Sequence, residues 1–566
     1  MTTQNVIAQL RERLDGGVLL SEEPAPGVVY LTVKKEAVVG ICRHLQEGLG
    51  ARFIISAGVD RRASEGCLSV THIFSRDKDK QFICVRADVP ENGAEVEAIT
   101  PWVPAAGWAE REYQDMLGIR AKGHPDPRRL VVSDDWPEGV YPLRKDFAYD
   151  AKPEPVEGVE MPFKKAPEGT STVVVGPFYP VLEEPEQLRL FVDGERVVDC
   201  DYRGFYNHRG IEKLGDSVLT YNQIPFVAER ICGICGFIHS SCYCEAAEQA
   251  AGVRAPRRAR YIRSIMLEIE RIHSHLLWLG IAGHILGFDT VLMQAWRIRE
   301  PIMWLCEQIT GNRKTYGMNL VGGVRWDVPS ELHPKILEVL AKIEAESKAV
   351  AGAIQGDTTL LLRLQGVGRL SEEEARRLCV VGPTARGSNV DIDCRVDHPY
   401  AAYDELETRV ITHDGCDNWA RVLVRVEEVF ESIRLVREGL KQMPEGPLML
   451  EFAGEIPAGR QGICTVEAPR GEAIHYLITG EGNRPDRWRV RAPTYQNLQA
   501  LPVMIRDETI ADVPITLGSM DPCFSCTDRV ETVDVRTGRQ AVLTKDELAR
   551  LSRERSEGLS AGRRAG

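Results

Sequence analysis

The sequence predicts an α+β protein in which a small N-terminal α+β domain precedes a larger, mainly helical domain with a peripheral β-sheet. Residues 1–150 mix short β-rich runs with helical stretches, as small α+β domains do. The middle of the chain carries long runs with an apolar residue every three or four positions, which is typical of packed helices. Between these two regions, residues 151–172 are rich in Pro, Glu and Lys and lack periodicity, which predicts a linker.

Individual elements follow from local patterns. The runs GVVYLTV, RFIISAGVD, VTHIFS and QFICVRADV predict strands of the N-terminal domain. After the linker, STVVVGPF and QLRLFVDGERVVDCDY predict a strand pair that turns at Asp193 and Gly194. Pro256 suits the first turn of a long helix. Similar helical patterns in residues 289–311, 333–355 and 417–441 predict a helix bundle. Residues 446–500 are β-rich again.

Composition narrows the class of protein. The chain has 566 residues, of which 43% are hydrophobic and 27% charged, and its net charge of −13 argues against general nucleic-acid binding. No basic segment followed by an apolar core begins the sequence, and no twin-arginine motif is present, so we expect a cytoplasmic location. The most apolar stretch, residues 275–288, is short and is interrupted by His284, so it predicts a buried helix and not a membrane span.

Two cysteine pairs stand far apart in the chain, Cys232 with Cys235 and Cys523 with Cys526. In a reducing compartment, fifteen cysteines do not predict a disulfide framework. Four thiolates from two C-x-x-C turns can enclose zinc, iron or nickel. Spacing alone leaves a structural zinc site open beside an iron–sulfur or other transition-metal site. Because zinc ribbons place their pairs roughly 15–20 residues apart, the wide separation favours a site at the centre of a large domain.

The residues around the pairs are more specific. The segments Arg230-x-Cys232-Gly233-x-Cys235-x-x-x-His239 and Asp521-Pro522-Cys523-x-x-Cys526-x-x-Arg529 resemble the two signature motifs of [NiFe] hydrogenase large subunits. Between them, EAPRGE (467–472) resembles the segment whose arginine lies over the diatomic ligands of the iron. The commonest hydrogenases end the last motif in histidine. Arginine at that position resembles the energy-converting, membrane-associated branch, which includes the formate hydrogenlyase enzymes.

Other segments resemble respiratory complex I. Residues 110–147 look like its 30-kDa subunit, whereas 206–214, 321–329 and 382–393 resemble its 49-kDa subunit. A fusion of both that keeps four cysteines is the arrangement of the formate hydrogenlyase-type large subunit. The resemblance therefore implies a 30-kDa-like domain, a linker, a hydrogenase/49-kDa-like catalytic domain and a C-terminal extension that is removed between Arg529 and Val530 on maturation; the ranges are 1–150, 151–172, 173–529 and 530–566.

The same resemblance implies roles for single residues. Cys232 and Cys523 would be terminal nickel ligands, and Cys235 and Cys526 would bridge nickel to an iron that carries cyanide and carbon monoxide. The remaining assignments are Arg470, with Ala468 and Pro469 beside it, at the ligands of the iron; His239 as a donor to a bridging thiolate; and Glu184 or Glu186 as the proton relay. The motif HRGIEK (208–213) is a further candidate for proton conduction.

The predicted reaction is H2 evolution from protons and electrons. No further iron–sulfur cysteine pattern occurs in the chain, so an iron–sulfur small subunit must deliver the electrons. Resemblance adds ferredoxin-like and ion-translocating membrane subunits, a maturation endopeptidase, nickel-insertion factors and a place on the cytoplasmic face of the inner membrane. Two alternatives remain open: a quinone-reducing complex I subunit and a zinc-bound scaffold. The four cysteines, and GPFYP (176–180) in place of GPQHP, argue against the complex I alternative.

Overall fold

The computed structural model describes residues 7, 9, 17–176, 186–206, 208–451 and 456–523, together with the short strands Thr532–Val533 and Gln540–Ala541. It confirms the α+β class. The N-terminal part is a five-stranded sheet in the order β1-β2-β5-β4-β3, in which only β2 and β5 run parallel and β3 forms an edge. Its elements are β1 (Val18–Ala25), β2 (Val28–Val33), α1 (Val38–Arg43), β3 (Arg52–Arg61), α2 (Arg62–Glu65), β4 (Cys67–Arg76), β5 (Gln81–Val89), β6 (Glu95–Glu97), α3 (Gly107–Leu117) and β7 (Arg120–Lys122).

A second sheet follows a stretch, 123–170, in which the described residues form no helix or strand. Three antiparallel strands make up this sheet: β8 (Ser171–Val175), β9 (Gln187–Asp193) and β10 (Arg196–Arg203). Asp193 pairs with Arg196, so the hairpin turns at Gly194 and Glu195, one residue later than predicted. Gly194 adopts φ 63°, which suits glycine best, and this requirement sets the turn position.

The predicted long helices are confirmed and pack around one apolar core that includes Cys232, Cys235 and Cys523. Pro256 immediately precedes the longest of them. The helices up to the end of the bundle are α4 (Ile211–Ser217), α5 (Ile224–Ala228), α6 (Gly236–Ala251), α7 (Arg257–Ile285), α8 (Asp289–Thr310), α9 (His333–Gly356), α10 (Thr358–Leu364), α11 (Glu372–Arg377), α12 (Pro383–Arg386), α13 (Cys394–Asp397) and α14 (Asn418–Gln442), with the small strands β11 (Asn319–Leu320) and β12 (Gly323–Val324) between α8 and α9.

The last sheet joins the two parts of the chain. Its strands are antiparallel, in the order β13-β14-β15, and the short helices α15, α16 and α17 follow it. Apolar side chains of β13 and β14, such as Ile463 and Ile474, complete the core of the N-terminal sheet. The bounds are β13 (Gln461–Ala468), β14 (Gly471–Thr479), β15 (Pro485–Arg491), α15 (Pro493–Asn497), α16 (Leu501–Met504) and α17 (Val513–Ser519).

Three alternate arginines of β15 form a ladder against the edge strand β3. Their Nε atoms donate to backbone carbonyls of β3, so the side chains satisfy groups that an open sheet edge leaves unpaired. We call these three residues the arginine ladder: Arg487 Nε donates to Gly58 at 3.0 Å, Arg489 Nε to Ser56 at 3.3 Å and Arg491 Nε to Ile54 at 3.2 Å.

Within the described part of the chain, no helix is both long and apolar enough to cross a bilayer. Residues 275–285, the start of the most apolar stretch, belong to α7, whose side chains are largely buried in the bundle.

Candidate metal centre

The first cysteine pair lies at the entrance to helix α6. Cys232 follows a 3-10 turn formed by Glu229–Ile231, and Cys235 occupies the N-cap of α6. The backbone nitrogens of Ile234 and Cys235 lie 3.4 and 3.3 Å from Cys232 Sγ, which fixes the sulfur inside the turn. Both thiols are buried, although Gly233 between them is exposed. The pair therefore faces the core while its connecting loop reaches the surface.

The second motif meets this pair. Cys523 Sγ lies 3.1 Å from Cys232 Sγ, farther than the roughly 2.05 Å of a disulfide bond and close enough to share one metal ion. The backbone nitrogen of Cys523 donates to Thr494 Oγ1 at 3.0 Å, which holds the cysteine in place. Residues 232 and 523 are thus brought together from opposite ends of the domain. The fourth cysteine, Cys526, lies outside the described residues.

Without a cation the Cys235 thiol holds its proton. The neighbouring Cys232 thiol, followed by burial and the charge of Cys523, raises the pKa of Cys235 well above its ordinary value. Arg470 opposes this rise. A metal ion inverts this preference, because coordination removes the thiol proton outright.

Arg470 lies at the tip of the β13–β14 hairpin. Ala468 pairs with Gly471, so Pro469 and Arg470 form a two-residue turn, and Gly471 takes φ 124°. Asp521 accepts from Arg470 twice, through its carbonyl oxygen at 2.7 Å and its carboxylate Oδ1 at 2.7 Å. Ser274 Oγ accepts from Nη1 at 3.1 Å. The hairpin thereby presents a buried guanidinium to the cysteines.

Electrostatics supports this proximity. Burial lowers the pKa of Arg470, but Asp521 and the thiols of Cys523, Cys235 and Cys232 outweigh burial, and the net pKa is raised. A second arginine, Arg425, is buried nearby, with its guanidinium 4.1 Å from the ring centre of Trp278. Its Nε and Nη2 have no hydrogen-bond partner among the described residues. The region around Asp521 therefore carries positive charge in excess.

His239 is held in one tautomer by two hydrogen bonds. Trp488 Nε1 donates to His475 Nδ1 at 3.0 Å, which leaves the proton of His475 on Nε2. That atom lies 3.2 Å from His239 Nδ1, so the proton of His239 is on Nε2. Burial lowers the pKa of His239 to about 4 against the opposing effect of Cys232, so the ring is neutral at pH 7. Nε2 is buried and has no hydrogen-bond partner in the described part of the chain.

The sequence did not point to Glu270, whose carboxylate holds the first turn of α6. Glu270 accepts from the backbone nitrogens of Phe237 and Ile238, both at 3.0 Å, and from Thr315 Oγ1 at 3.1 Å. Burial raises its pKa to about 8. Glu270 lies 35 residues beyond Cys235 on another helix, so no local signal marks it. Asp521 is different, because it belongs to the quoted D-P-C motif and could have been singled out.

The predicted relay residues are only partly described. Glu186 is buried immediately before β9. Glu184, Arg529 and Val530 lie outside the described residues.

The buried donors fit a soft transition metal. The Cys232 and Cys523 sulfurs approach to 3.1 Å, Cys235 interacts with Cys232, and the buried Nε2 of His239 has no hydrogen-bond partner among the described residues. A family profile described as "Nickel-dependent hydrogenase" matches residues 209–288, which contain the first pair. Profiles described as the 30 Kd and 49 Kd subunits of respiratory-chain NADH dehydrogenase match residues 31–153, and 286–457 and 453–529.

Full-length relatives decide the family. "Formate hydrogenlyase subunit 5" of Escherichia coli (strain K12) is 41% identical over 98% of this chain and 98% of its own length. This chain belongs to the formate hydrogenlyase-type family of [NiFe] hydrogenase large subunits. It is an oxidoreductase of the hydrogenase class, and the family implies a nickel–iron centre.

More distant members of the same hydrogenase lineage cover only part of the chain. "Membrane-bound hydrogenase subunit alpha" of Pyrococcus furiosus is 38% identical over 68% of this chain and 92% of its own length. Among solved structures, a chain of an archaeal membrane-bound sulfane sulfur reductase matches with a TM-score of 0.61 at 28% identity, covering 64% of this chain and 99% of that one. The hydrogenase fold of this chain is thus shared with a respiratory membrane complex.

Proposed function

We propose that Cys232, Cys235, Cys523 and Cys526 hold a nickel–iron centre and that this hydrogenase evolves H2 in a formate hydrogenlyase-like complex. The observation that carries the proposal is the 3.1 Å approach of the Cys232 and Cys523 sulfurs beside the buried guanidinium of Arg470. A bound centre would supply Lewis acidity and redox chemistry for the interconversion of protons and H2.

The protein's own groups have distinct tasks in this proposal. Cys232, Cys235, Cys523 and Cys526 would hold the nickel–iron centre through their thiolates, and the centre would supply the redox chemistry. Arg470, oriented by Asp521, faces the anionic ligands of the iron, with Ala468 and Pro469 fixing the hairpin around it. A preorganised buried cation of this kind acts without reorganisation during the reaction.

Protons need groups that both accept and donate. A cysteine thiolate of the site would be the first proton acceptor. His239 donates from Nε2, the nitrogen that the Trp488–His475 relay leaves protonated, toward a bridging thiolate. Glu184 and Glu186 remain the candidates for the route beyond the cysteines, and the buried position of Glu186 supports a role in a relay.

Electrons enter through a partner, in this proposal an iron–sulfur small subunit. The exposed Gly233 lies between two ligand cysteines, so a cluster docked there is close to the metal. The rim around it is basic and aromatic: Arg230 lies 4.6 Å from the Tyr316 ring centre, and Arg325 lies 5.4 Å from that of Trp326. Ferredoxin-like and membrane ion-translocating subunits, and a place at the cytoplasmic face of the inner membrane, complete the proposal.

Maturation is the last part of the proposal. Nickel-insertion factors load the site, and an endopeptidase then cuts between Arg529 and Val530. Mass spectrometry of the mature protein checks this directly: a C-terminus at Arg529 is expected, and a nickel-loaded protein that ends at Gly566 would contradict the cut.

The central test is elemental analysis of the protein purified with its complex, together with infrared spectroscopy of cyanide and carbonyl stretching bands. Nickel, iron and both kinds of band are expected. Cys523→Ala should lose nickel and H2 evolution together, whereas the matched control Cys306→Ala, at a buried thiol of α8, should keep both. Zinc alone, or nickel retained in Cys523→Ala, would sink the proposal.

A further inference from the structure

A second buried ionic cluster lies where helix α3 of the N-terminal part meets helix α4 and strand β15. It combines carboxyl groups of α3 and α4 with two members of the arginine ladder. We call it the interdomain acid cluster, and its members are Glu112, Glu212, Asp216, Arg487 and Arg489.

One guanidinium is shared between two acids of this cluster. Arg489 Nη1 donates to Glu112 Oε1 at 2.7 Å and to Glu212 Oε1 at 2.9 Å. Arg489 Nη2 donates to Glu112 Oε2 at 2.8 Å. The two carboxyl groups therefore meet at a single cation, and like charges held this close in the interior do not both ionise readily.

The charges do not balance. Arg487 pairs with Glu212 at 2.7 Å and with Asp216 at 3.3 Å, so three carboxyl groups face two guanidiniums at ion-pair distance. Lys145 and Lys213 act on Asp216 from farther away, but Lys145 pairs with Asp486 and Lys213 donates to the Arg144 carbonyl. Both lysines have partners of their own, so the cluster keeps a surplus of one carboxyl group over its guanidiniums.

Titration directions agree with this surplus. Burial raises the pKa of Glu112, Arg489 opposes the rise and Glu212 adds to it. Burial also raises the pKa of Tyr495, and the charge of Glu112 adds to that shift. The pKa of Glu212 is instead lowered to about 2, because Arg487 and Arg489 outweigh the effect of burial.

A small cavity lies beside this pair and extends to the residue that precedes Cys232. It measures about 60 Å³ and is lined by both glutamates together with Arg489, Tyr495 and His208. At ~15 Å³ for one water molecule, it holds a few ordered waters. Ile231, the residue before Cys232, forms part of the wall, and the exposed Arg209 forms the rim and donates to the carbonyls of Arg230 and Ile231 at 2.7 and 3.0 Å.

We propose that Glu112 and Glu212 hold one exchangeable proton and pass it, through water in this cavity, toward the thiol side of the metal centre. In each transfer one O–H bond breaks as another forms, so no electron moves. The direction of proton transfer toward the cysteines rests on the proposed H2 evolution. The presence of a proton shared by Glu112 and Glu212 does not depend on that proposed function. The N-terminal domain thereby contributes Glu112 to the chemistry of the catalytic domain.

The held proton is tested on the full-length chain without metal by infrared spectroscopy at pH 7. The readout is the difference spectrum between wild type and Glu112→Gln, because Glu110, Glu229 and Glu270 also have raised pKa values. A carboxylic C=O band is expected in that difference. Asp77→Asn is the matched control, since Asp77 is a half-buried acid of the N-terminal part whose pKa Arg52 holds below its usual range, and this variant should remove no such band. A wild-type minus Glu112→Gln spectrum without the band would overturn the proposal.

The relay is tested in the nickel-loaded complex. Glu112→Gln should lower H2 evolution with a reduced dye at least tenfold per nickel and change its pH profile between pH 5 and 8, whereas Asp77→Asn should stay within twofold. A Glu112→Gln rate within twofold of wild type at every pH would overturn the relay. If the wild-type protein carries no nickel, the proposed function fails. The infrared test then still shows whether Glu112 and Glu212 hold a proton.

If Glu112→Gln does not fold, a second variant tests the same proposal. Tyr495→Phe removes only the hydroxyl group at the cavity. It should shift the carboxylic band and lower the nickel-normalised rate. No change in either measurement would count against the proposal.

Discussion

The metal centre and the interdomain acid cluster are two buried ionic sites with opposite imbalance. Around Asp521, the carboxylate faces Arg470 directly and Arg425 nearby, and Glu428, the other acid that acts on Arg425, is paired with Arg386, so positive charge is in excess. Around Arg489, three carboxyl groups face two guanidiniums, so negative charge is in excess. A buried imbalance is costly unless a charged group from outside completes it. The first site therefore suits anionic metal ligands, and the second suits a proton.

Removing the shared cation should have the largest effect. Arg489→Met leaves the carboxyl groups of Glu112 and Glu212 without their common partner, and breaking a buried pair of this kind costs about 3–5 kcal/mol. Urea unfolding measures the loss. Arg297→Met, at a residue 53% exposed, is the control and should cost at most about 1 kcal/mol.

Adding Glu112→Gln to Arg489→Met sharpens this result. Because the double variant removes one surplus carboxylate as well as the cation, it should be more stable than Arg489→Met alone. A double variant that is less stable than either single variant would contradict the charge count.

At the metal centre, Arg470→Lys keeps the charge but loses the planar fork that bonds Asp521 twice. We expect about 100- to 1,000-fold slower H2 evolution, on the scale of losing one preorganised donor. Nickel content should be unchanged, which separates a catalytic effect from failed loading. A rate within threefold of wild type would show that charge alone suffices.

The pH dependence of stability tests the acid surplus at Asp216. Burial raises the pKa of Asp216 from 3.8 to about 6, with Arg487 opposing the rise, so the folded state binds this proton more tightly than the unfolded state. The resulting stability is fully present below pH 4 and is lost as pH rises through 6, on the order of 3 kcal/mol. Asp216→Asn should flatten the pH dependence of urea unfolding, whereas the exposed control Asp289→Asn should not. An unchanged slope in Asp216→Asn would refute this assignment.

The smallest effect concerns the tautomer of His239. Trp488→Phe removes the donor that keeps the proton of His475 on Nε2. His239 can then carry its own proton on either ring nitrogen. Loss of such an orienting partner costs about tenfold in activity or metal affinity. Infrared cyanide bands should shift as well. Trp278→Phe, which removes a donor to the Gly518 carbonyl, is the control and should leave those bands in place.

The sequence predicted one of these two sites far better than the other. Both C-x-x-C pairs, Arg470 and His239 stand in short motifs whose flanking residues are specific, and the structure brings Cys232, Cys235 and Cys523 together beside Arg470. The long helices were also predictable, because their apolar residues repeat with the helical period. Cys526, Glu184 and the cleavage position stay predictions.

The interdomain acid cluster could not be read from the chain. RWRVR, residues 487–491, alternates charged and apolar residues as a half-solvated strand does, yet its arginines are buried. Glu112 stands among Arg111, Gln114 and Asp115 in a helix that looks solvated on one face. Burial of both segments depends on contacts between residues that lie 377 positions apart in the chain, and such contacts leave no local sequence pattern.

The arginine ladder bears on how the protein assembles. Before β15 arrives, the outer edge of β3 exposes unpaired carbonyls that any passing strand can engage. Because β3 and β15 lie on one polypeptide, their pairing is intramolecular and does not depend on the concentration of a second chain. The fused chain thus protects its own edge soon after synthesis, without depending on how much of a separate partner the cell has made.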